Sequence, residues 1–130
     1  MMTGEFRGVF HARDYDSTVA FYRDGLDLPI VEEWDHGPDD QGTVFGAASG
    51  LIEVLRLPGN QEPDAVWDYS KPQGVMVAIE TDDVDAWYKR SVDRGLSVRQ
   101  GLTVQPWGHR TFFLLNDPNG VTLYIMSKPG

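Results

Sequence analysis

The sequence predicts an α+β chain built from two copies of a β-α-β-β-β unit, and two observations predict it. A strand, a capped helix and three further strands occur in the same order twice, in a chain with no low-complexity tract. The landmarks of the two copies also keep register. Asp14 and Asp83, placed to cap the two helices, are 69 residues apart; Gly25 and Gly95, placed to end them, are 70 apart; Glu53 and Tyr124 are 71 apart. Agreement that close across three landmarks marks a duplicated frame rather than chance.

In the first copy, Phe6 to Ala12 reads as a strand. Asp14 and Ser17 offer side chains to cap a helix over Ser17–Asp24, which carries Val19, Ala20, Phe21 and Tyr22 and stops near Gly25. Leu28–Glu32, Gly42–Ala47 and Leu51–Leu57 read as the next three strands. In the second copy, Val75–Glu80 is a strand, and Thr81–Asp85 is the cap region of a helix containing Ala86, Trp87, Tyr88 and Val92 and ending at Gly95. Strands near Ser97–Arg99, Arg110–Leu115 and Val121–Met126 complete it, the last two joined by the turn Asn116-Asp117-Pro118-Asn119-Gly120. Pro/Gly-rich segments between the copies predict one domain over 1–130, with module one at about 5–57, a linker at about 58–73 and module two at about 74–127.

Composition narrows the function. At 130 residues with 41% hydrophobic content the chain is long enough for one domain with a real core. It has no cysteine, which excludes disulfides, thiolate metal sites and a Cys nucleophile. A net charge of −9 argues against nucleic acid, which needs a basic face. No apolar run is long enough for a membrane span, and Met1–Glu5 shows no signal-peptide features, so a cytoplasmic location is expected. No Gly-x-Ser-x-Gly elbow, phosphate loop or dinucleotide fingerprint is present.

Four segments, in order inside the duplicated frame, carry a family resemblance: Asp14-Tyr15-Asp16-Ser17-Thr18-Val19-Ala20-Phe21-Tyr22, Leu51-Ile52-Glu53-Val54, Glu80-Thr81-Asp82-Asp83-Val84-Asp85-Ala86, and Pro106-Trp107-Gly108-His109-Arg110 leading to Asp117-Pro118-Asn119-Gly120. Together they resemble the glyoxalase/bleomycin-resistance/extradiol-dioxygenase superfamily, the vicinal oxygen chelate fold. The resemblance implies two modules forming a curled mixed sheet around a cleft, often within a homodimer. It also implies, in metal-dependent members, four ligands on one divalent ion, from the first and last strand of each module.

Carried onto this sequence, those positions are Arg7, Glu53, Met76 and Tyr124. Only Glu53 is a competent ligand. Arginine stays protonated and has no lone pair to give, a thioether is too soft for hard divalent ions, and a neutral phenol binds weakly. A shift of two residues brings Val9 and Ala78 into the first-strand slots and rescues nothing. The expectation is therefore no metal and no cofactor, with an Arg7–Glu53 ion pair instead. His11 shares strand parity with Arg7; it reads either as a hydrogen-bonded or solvated side chain or as a ligand contact or proton-transfer group, and a His11–Glu53–Glu80 set has the ligand types of a facial triad.

Strand alternation places Gly8, Phe10, Ala12, Ile52, Val54, Val77, Ile79, Leu123 and Ile125 under the helices. The opposite face holds Arg7, Val9, His11, Leu51, Glu53, Leu55, Met76, Ala78, Glu80, Thr122, Tyr124 and Met126, the mixture of apolar and polar groups usual in a small-molecule pocket. Trp34, Trp67 and Trp107, in or near loops, are placed either to stack on a ligand or to cover the cleft ends or a dimer seam. The acidic stretch Glu32–Asp40 reads as a solvated loop or as a screen for cationic ligands.

These residues point to two functions. The first is a protein that sequesters a small amphipathic or cationic molecule, such as an antibiotic or metabolite, without a metal. The alternative is a metal-independent lyase or isomerase with Glu53, His11 or Tyr124 as the catalytic candidates and Arg7 better suited to holding a substrate carboxylate. A metal-dependent glyoxalase or dioxygenase ranks behind both.

Overall fold

The computed structural model describes residues 1–57, 75–105 and 110–128. The chain divides into two compact units, Met1–Lys71 and Pro72–Gly130, each containing a four-stranded mixed sheet. The predicted linker, Trp67, Trp107 and His109 lie outside the described residues.

Unit one runs β1 (Arg7–Ala12), α1 (Tyr15–Ala20), β2 (Ile30–Asp35), β3 (Gln41–Ala47) and β4 (Gly50–Arg56), with sheet order β1-β4-β3-β2. Unit two repeats it as β5 (Met76–Thr81), α2 (Val84–Asp93), β6 (Ser97–Val104), β7 (Thr111–Asn116) and β8 (Thr122–Ser127), with order β5-β8-β7-β6. In both sheets the first strand pairs in parallel with the last, and the other pairings are antiparallel. The parallel pairings also correspond: Val9 lies opposite Glu53 as Ala78 lies opposite Tyr124, and His11 opposite Leu55 as Glu80 opposite Met126.

Both helices start as expected. The Asp14 carboxylate accepts the Ser17 N–H at 3.1 Å, and the Asp83 carboxylate accepts the Ala86 N–H at 3.0 Å, each satisfying a donor that the first turn leaves without a partner. Helix α2 ends at Gly95, which takes φ 69°. The first helix differs from the predicted Ser17–Asp24. It is α-helical over Tyr15–Ala20 and continues as a π-helical turn over Phe21–Gly25. The Leu26 N–H reaches back to the Phe21 carbonyl at 3.1 Å, and it is Asp27, at φ 54°, that adopts the left-handed conformation rather than Gly25. The wider turn leaves both Phe21 and Tyr22 buried, where Tyr22 packs 5.0 Å from Phe21 and 5.8 Å from Phe45 between ring centroids.

The alternation places the cores. Ala12, Ile52 and Val54 are buried in unit one, as are Leu123 and Ile125 in unit two, while Gly8, Phe10, Val77 and Ile79 are half-buried. Phe113 of β7 meets Tyr88 of α2 at 5.4 Å. One glycine sets how closely β1 and β4 can pair. A Cβ at Gly50 would sit 2.9 Å from the Phe6 carbonyl oxygen, which accepts the Leu51 N–H at 2.8 Å, so only glycine lets the start of β1 lie this close to β4. Among the described residues no helix is long and apolar enough to cross a membrane.

Candidate functional site

Each sheet has one face on its helix and an open face turned away from it. On the open face of unit one, Arg7 Nη1 donates to Glu53 Oε1 at 2.6 Å, the ion pair expected from sequence. Glu53 lies opposite Val9 in the ladder, so Arg7 reaches diagonally along β4. The pair is asymmetric: the Glu53 side chain is 14% exposed and that of Arg7 42%. Val9 is exposed, and Leu51 and Leu55 flank Glu53 as half-buried apolar neighbours on β4. His11 is half-buried near Glu53; burial pulls its pKa below the usual imidazole value, and the Glu53 charge offsets part of that.

Trp34 is on β2, not in a loop. It lies opposite Gly42, and its indole covers that glycine so closely that no side chain fits there. The indole N–H donates to Asp40 at 3.0 Å, and Asp40 also pairs with His36 Nδ1 at 3.0 Å. These two contacts hold the Asp40 carboxyl below the usual carboxylate range. The acidic stretch is likewise not a loop throughout, because Glu32–Asp35 form most of β2. In the ladder Glu32 and Trp34 share the open face with Val44 and Gly42, whereas Glu33 and Asp35 share the helix face with Thr43 and Gln41. There a groove of about 480 Å³ is lined by Tyr15, Asp16, Arg23, Glu33, Asp35 and Thr43, among others. Its floor is tied by the 2.6 Å Tyr15–Thr43 hydroxyl contact, and the Arg56 guanidinium lies 5.1 Å over the Tyr15 ring and bonds Gln41.

On the open face of unit two, Met76 is exposed on β5 and Tyr124 half-buried on β8. The Tyr124 ring stacks at a 31° tilt on Phe112 of β7, 4.6 Å between centroids. Burial pushes its phenol pKa up, and the nearby Arg110 charge opposes that more weakly, so the hydroxyl stays protonated at neutral pH. Arg110 Nη1 lies 3.1 Å from Glu80 Oε1 and 2.7 Å from Met126 Sδ. At the opposite end of the same face, Arg99 Nη1 donates to Thr122 Oγ1 at 3.0 Å, and that hydroxyl lies 3.3 Å from Asn116 Oδ1. Arg99 thus crosses β7 to reach β8, and Arg110, just before β7, lies over β8 to meet Glu80 on β5. Thr122 and Met126 are on this face, as alternation places them, and both are buried beneath these guanidinium groups.

The donors do not suit the divalent ion that the resemblance implies. In unit one the single carboxylate already accepts a charge-assisted hydrogen bond, and a dication beside Glu53 would face the fixed charge of Arg7. In unit two the matching positions are a thioether and a protonated phenol. Among the described residues no group of three or more His, Asp or Glu side chains is placed to hold a metal ion.

Sequence reasoning missed Arg99, Arg110, Phe112 and Asn116. Period-two alternation along β7 from Arg110 would have placed Arg110, Phe112, Leu114 and Asn116 on the open face. For Arg99 no local signal was available, since Gly101 falls in the second register shift of β6, between Gln100 and Thr103, and not in the one at Arg99.

Comparison with known proteins agrees with this architecture. The Glyoxalase/Bleomycin resistance protein/Dioxygenase superfamily model matches residues 9–125. No curated protein matches the chain. The crystal structure of TioX from Micromonospora sp. ML1 is similar with a TM-score of 0.77 at 18% identity, over 96% of this chain and 98% of that one. A superfamily member from Sphaerobacter thermophilus DSM 20745 gives 0.74 at 20% identity, over 98% of both chains. Lactoylglutathione lyase from Agrobacterium tumefaciens gives 0.69 at 18% identity, over 98% of this chain and 95% of that one. At these identities the structural likeness speaks for the fold alone, whereas the family match spans most of the chain. The chain belongs to the Glyoxalase/Bleomycin resistance protein/Dioxygenase superfamily.

Proposed function

We propose that this protein binds a small amphipathic organic molecule on the open faces of its sheets, without a metal, and releases it unchanged. The observation that carries this reading is the 2.6 Å Arg7–Glu53 pair at two of the positions the family resemblance assigns to metal ligands. A carboxylate engaged by a guanidinium is a poor ligand, and Met76 and Tyr124 add no hard, charged donor. What these faces offer instead is apolar and aromatic surface, from Val9, Leu55, Met76, Phe112 and Tyr124, with a few fixed polar groups, which is the usual make-up of a small-molecule site. A cationic ligand has less support than an amphipathic one, because Glu33 and Asp35 turn to the helix face of unit one. Assembly as a homodimer in the cytoplasm belongs to the same reading.

The enzymatic alternative, a metal-independent lyase or isomerase, is favoured by one observation: half-buried His11 lies near Glu53 with its imidazole pKa lowered by burial, so that it is uncharged at neutral pH and able to accept a proton. Three measurements decide among the readings. Protein purified without chelator is expected to hold no stoichiometric Zn, Ni, Mn or Fe, and an uncharged aromatic fluorophore, N-phenyl-1-naphthylamine, is expected to bind equally with and without EDTA. Stoichiometric metal, or binding lost to EDTA, overturns the metal-free reading. A co-purifying molecule identified by native mass spectrometry is expected to be recovered intact after incubation; its conversion to product favours the enzyme.

A further inference from the structure

We propose that Arg99 is the residue by which unit two recognises its ligand, and that the ligand carries an oxyanion, such as a carboxylate or sulfonate, on an aromatic body. This rests on the reading of the open faces as a small-molecule site and adds a ligand class to it.

The strand that delivers Arg99 is irregular. Along β6–β7, Val98 lies opposite Leu115 and Gln100 opposite Leu114, so β6 contributes one residue more than β7 there, and that residue is Arg99. An extra residue of this kind leaves the ladder locally unpaired and turns its side chain out of the regular alternation. Val98 stays on the side of buried Leu115, and the Arg99 guanidinium reaches over β7 to the Thr122 hydroxyl at 3.0 Å. Thr122 is itself tied to Asn116 at 3.3 Å. An aliphatic stem laid across a strand and anchored at one Nη leaves the remaining guanidinium donors for another acceptor.

Charge sets Arg99 apart from the other arginine on this face. Arg110 meets a carboxylate, Glu80, at 3.1 Å, whereas the hydrogen bond of Arg99 among the described residues goes to a neutral hydroxyl. With Glu80 as the acid that Arg110 meets, the open face of unit two carries, among the described residues, two arginines in a chain whose net charge is −9. Between the two arginines lies the Phe112–Tyr124 ring pair, a platform for a planar body, with Asn116 beside the anchoring Thr122. A guanidinium fork beside a hydroxyl, an amide and an aromatic platform matches an aromatic oxyanion.

The test uses two fluorophores that share an aromatic skeleton and differ in charge: 1-anilinonaphthalene-8-sulfonate and uncharged N-phenyl-1-naphthylamine. The full chain is expected to bind the sulfonate more tightly than the neutral probe. Arg99→Gln is expected to weaken the sulfonate about tenfold, the scale of a charge-assisted hydrogen bond, and to leave the neutral probe unchanged. Thr122→Val, which removes the anchor and keeps the charge, is expected to weaken the sulfonate by a smaller factor. Lys89→Gln, the same charge change on the exposed side of α2, is expected to alter neither. Equal sulfonate affinity in wild type and Arg99→Gln overturns the proposal, as does a parallel loss of both probes. If the wild type binds neither probe, the small-molecule reading itself fails.

Discussion

The Arg7–Glu53 pair makes a prediction in which the two ends are unequal. Glu53 is 14% exposed and Arg7 42%. Removing the carboxylate with Glu53→Gln leaves a guanidinium that still reaches water, so the loss is near that of a partly exposed ion pair, about 1 kcal/mol. Removing the cation with Arg7→Met leaves a largely covered carboxylate without its donor, and its desolvation raises the loss to about 2 kcal/mol. The double variant loses the pair once, so a double-mutant cycle should return a coupling of about 1 kcal/mol. Urea unfolding followed by circular dichroism at neutral pH measures all four corners, and an unchanged slope with denaturant shows that only stability moved. A coupling within about 0.3 kcal/mol of zero, or Glu53→Gln costing more than Arg7→Met, refutes the reasoning.

Three further outcomes are expected. Asp14→Ala and Asp83→Ala each remove a side-chain acceptor at a helix start, and each should cost about 1 kcal/mol by the same unfolding assay; restoration of stability by Asn or Ser at the same position separates capping from charge. Gly50→Ala drives a Cβ against the Phe6 carbonyl, so it should destabilise by about 1–3 kcal/mol, and a neutral result would show that β1 and β4 do not approach as described. His11 has its pKa lowered on folding, chiefly by burial, so the unfolded chain takes up the proton first as pH falls. Its contribution is therefore complete above the ordinary imidazole value of about 6.5 and is lost as pH falls from there toward the lower folded value. The urea midpoint should fall more between pH 7.5 and 5.5 for wild type than for His11→Gln, and equal falls would count against a half-buried neutral imidazole.

The elements that sequence made legible are those whose signals are local. Aspartates with an amide three residues on, a glycine that takes positive φ at 95, and alternating strands such as Leu51–Leu57 each encode a piece of structure within a few residues. The Arg7–Glu53 pair was legible too, because the family resemblance put Arg7 and Glu53 at neighbouring positions and a guanidinium beside a lone carboxylate pairs with it. What escaped depended on one residue more or less. The π-helical turn at Phe21–Gly25 arises from burying Phe21 and Tyr22 together, a tertiary demand that Gly25 alone does not announce. The acidic stretch from Glu32 looked like a solvated loop because charge masked its alternation; paired against Gln41–Phe45, it forms most of an edge strand with acids on both faces. Arg99 was hidden by a bulge that breaks the parity rule used to sort the residues of β1, β4, β5 and β8.

The duplicated frame explains why the two open faces differ while the two cores agree. Positions under the helices must fill a closed volume, so Ile52 and Val54 in one unit answer to Leu123 and Ile125 in the other. The open-face positions meet no such demand, and there the correspondence stops at the backbone: Arg7 with Glu53 answers to Met76 with Tyr124, and His11 with Leu55 to Glu80 with Met126. Yet among the described residues each open face holds an arginine–glutamate pair, built from β1 and β4 in unit one and from β5 and the residue before β7 in unit two. A four-ligand ion would have required acids or imidazoles at matching positions of both copies. Here Glu53 and Glu80 sit at non-matching positions and each meets a guanidinium, an arrangement poorly suited to enclosing a dication.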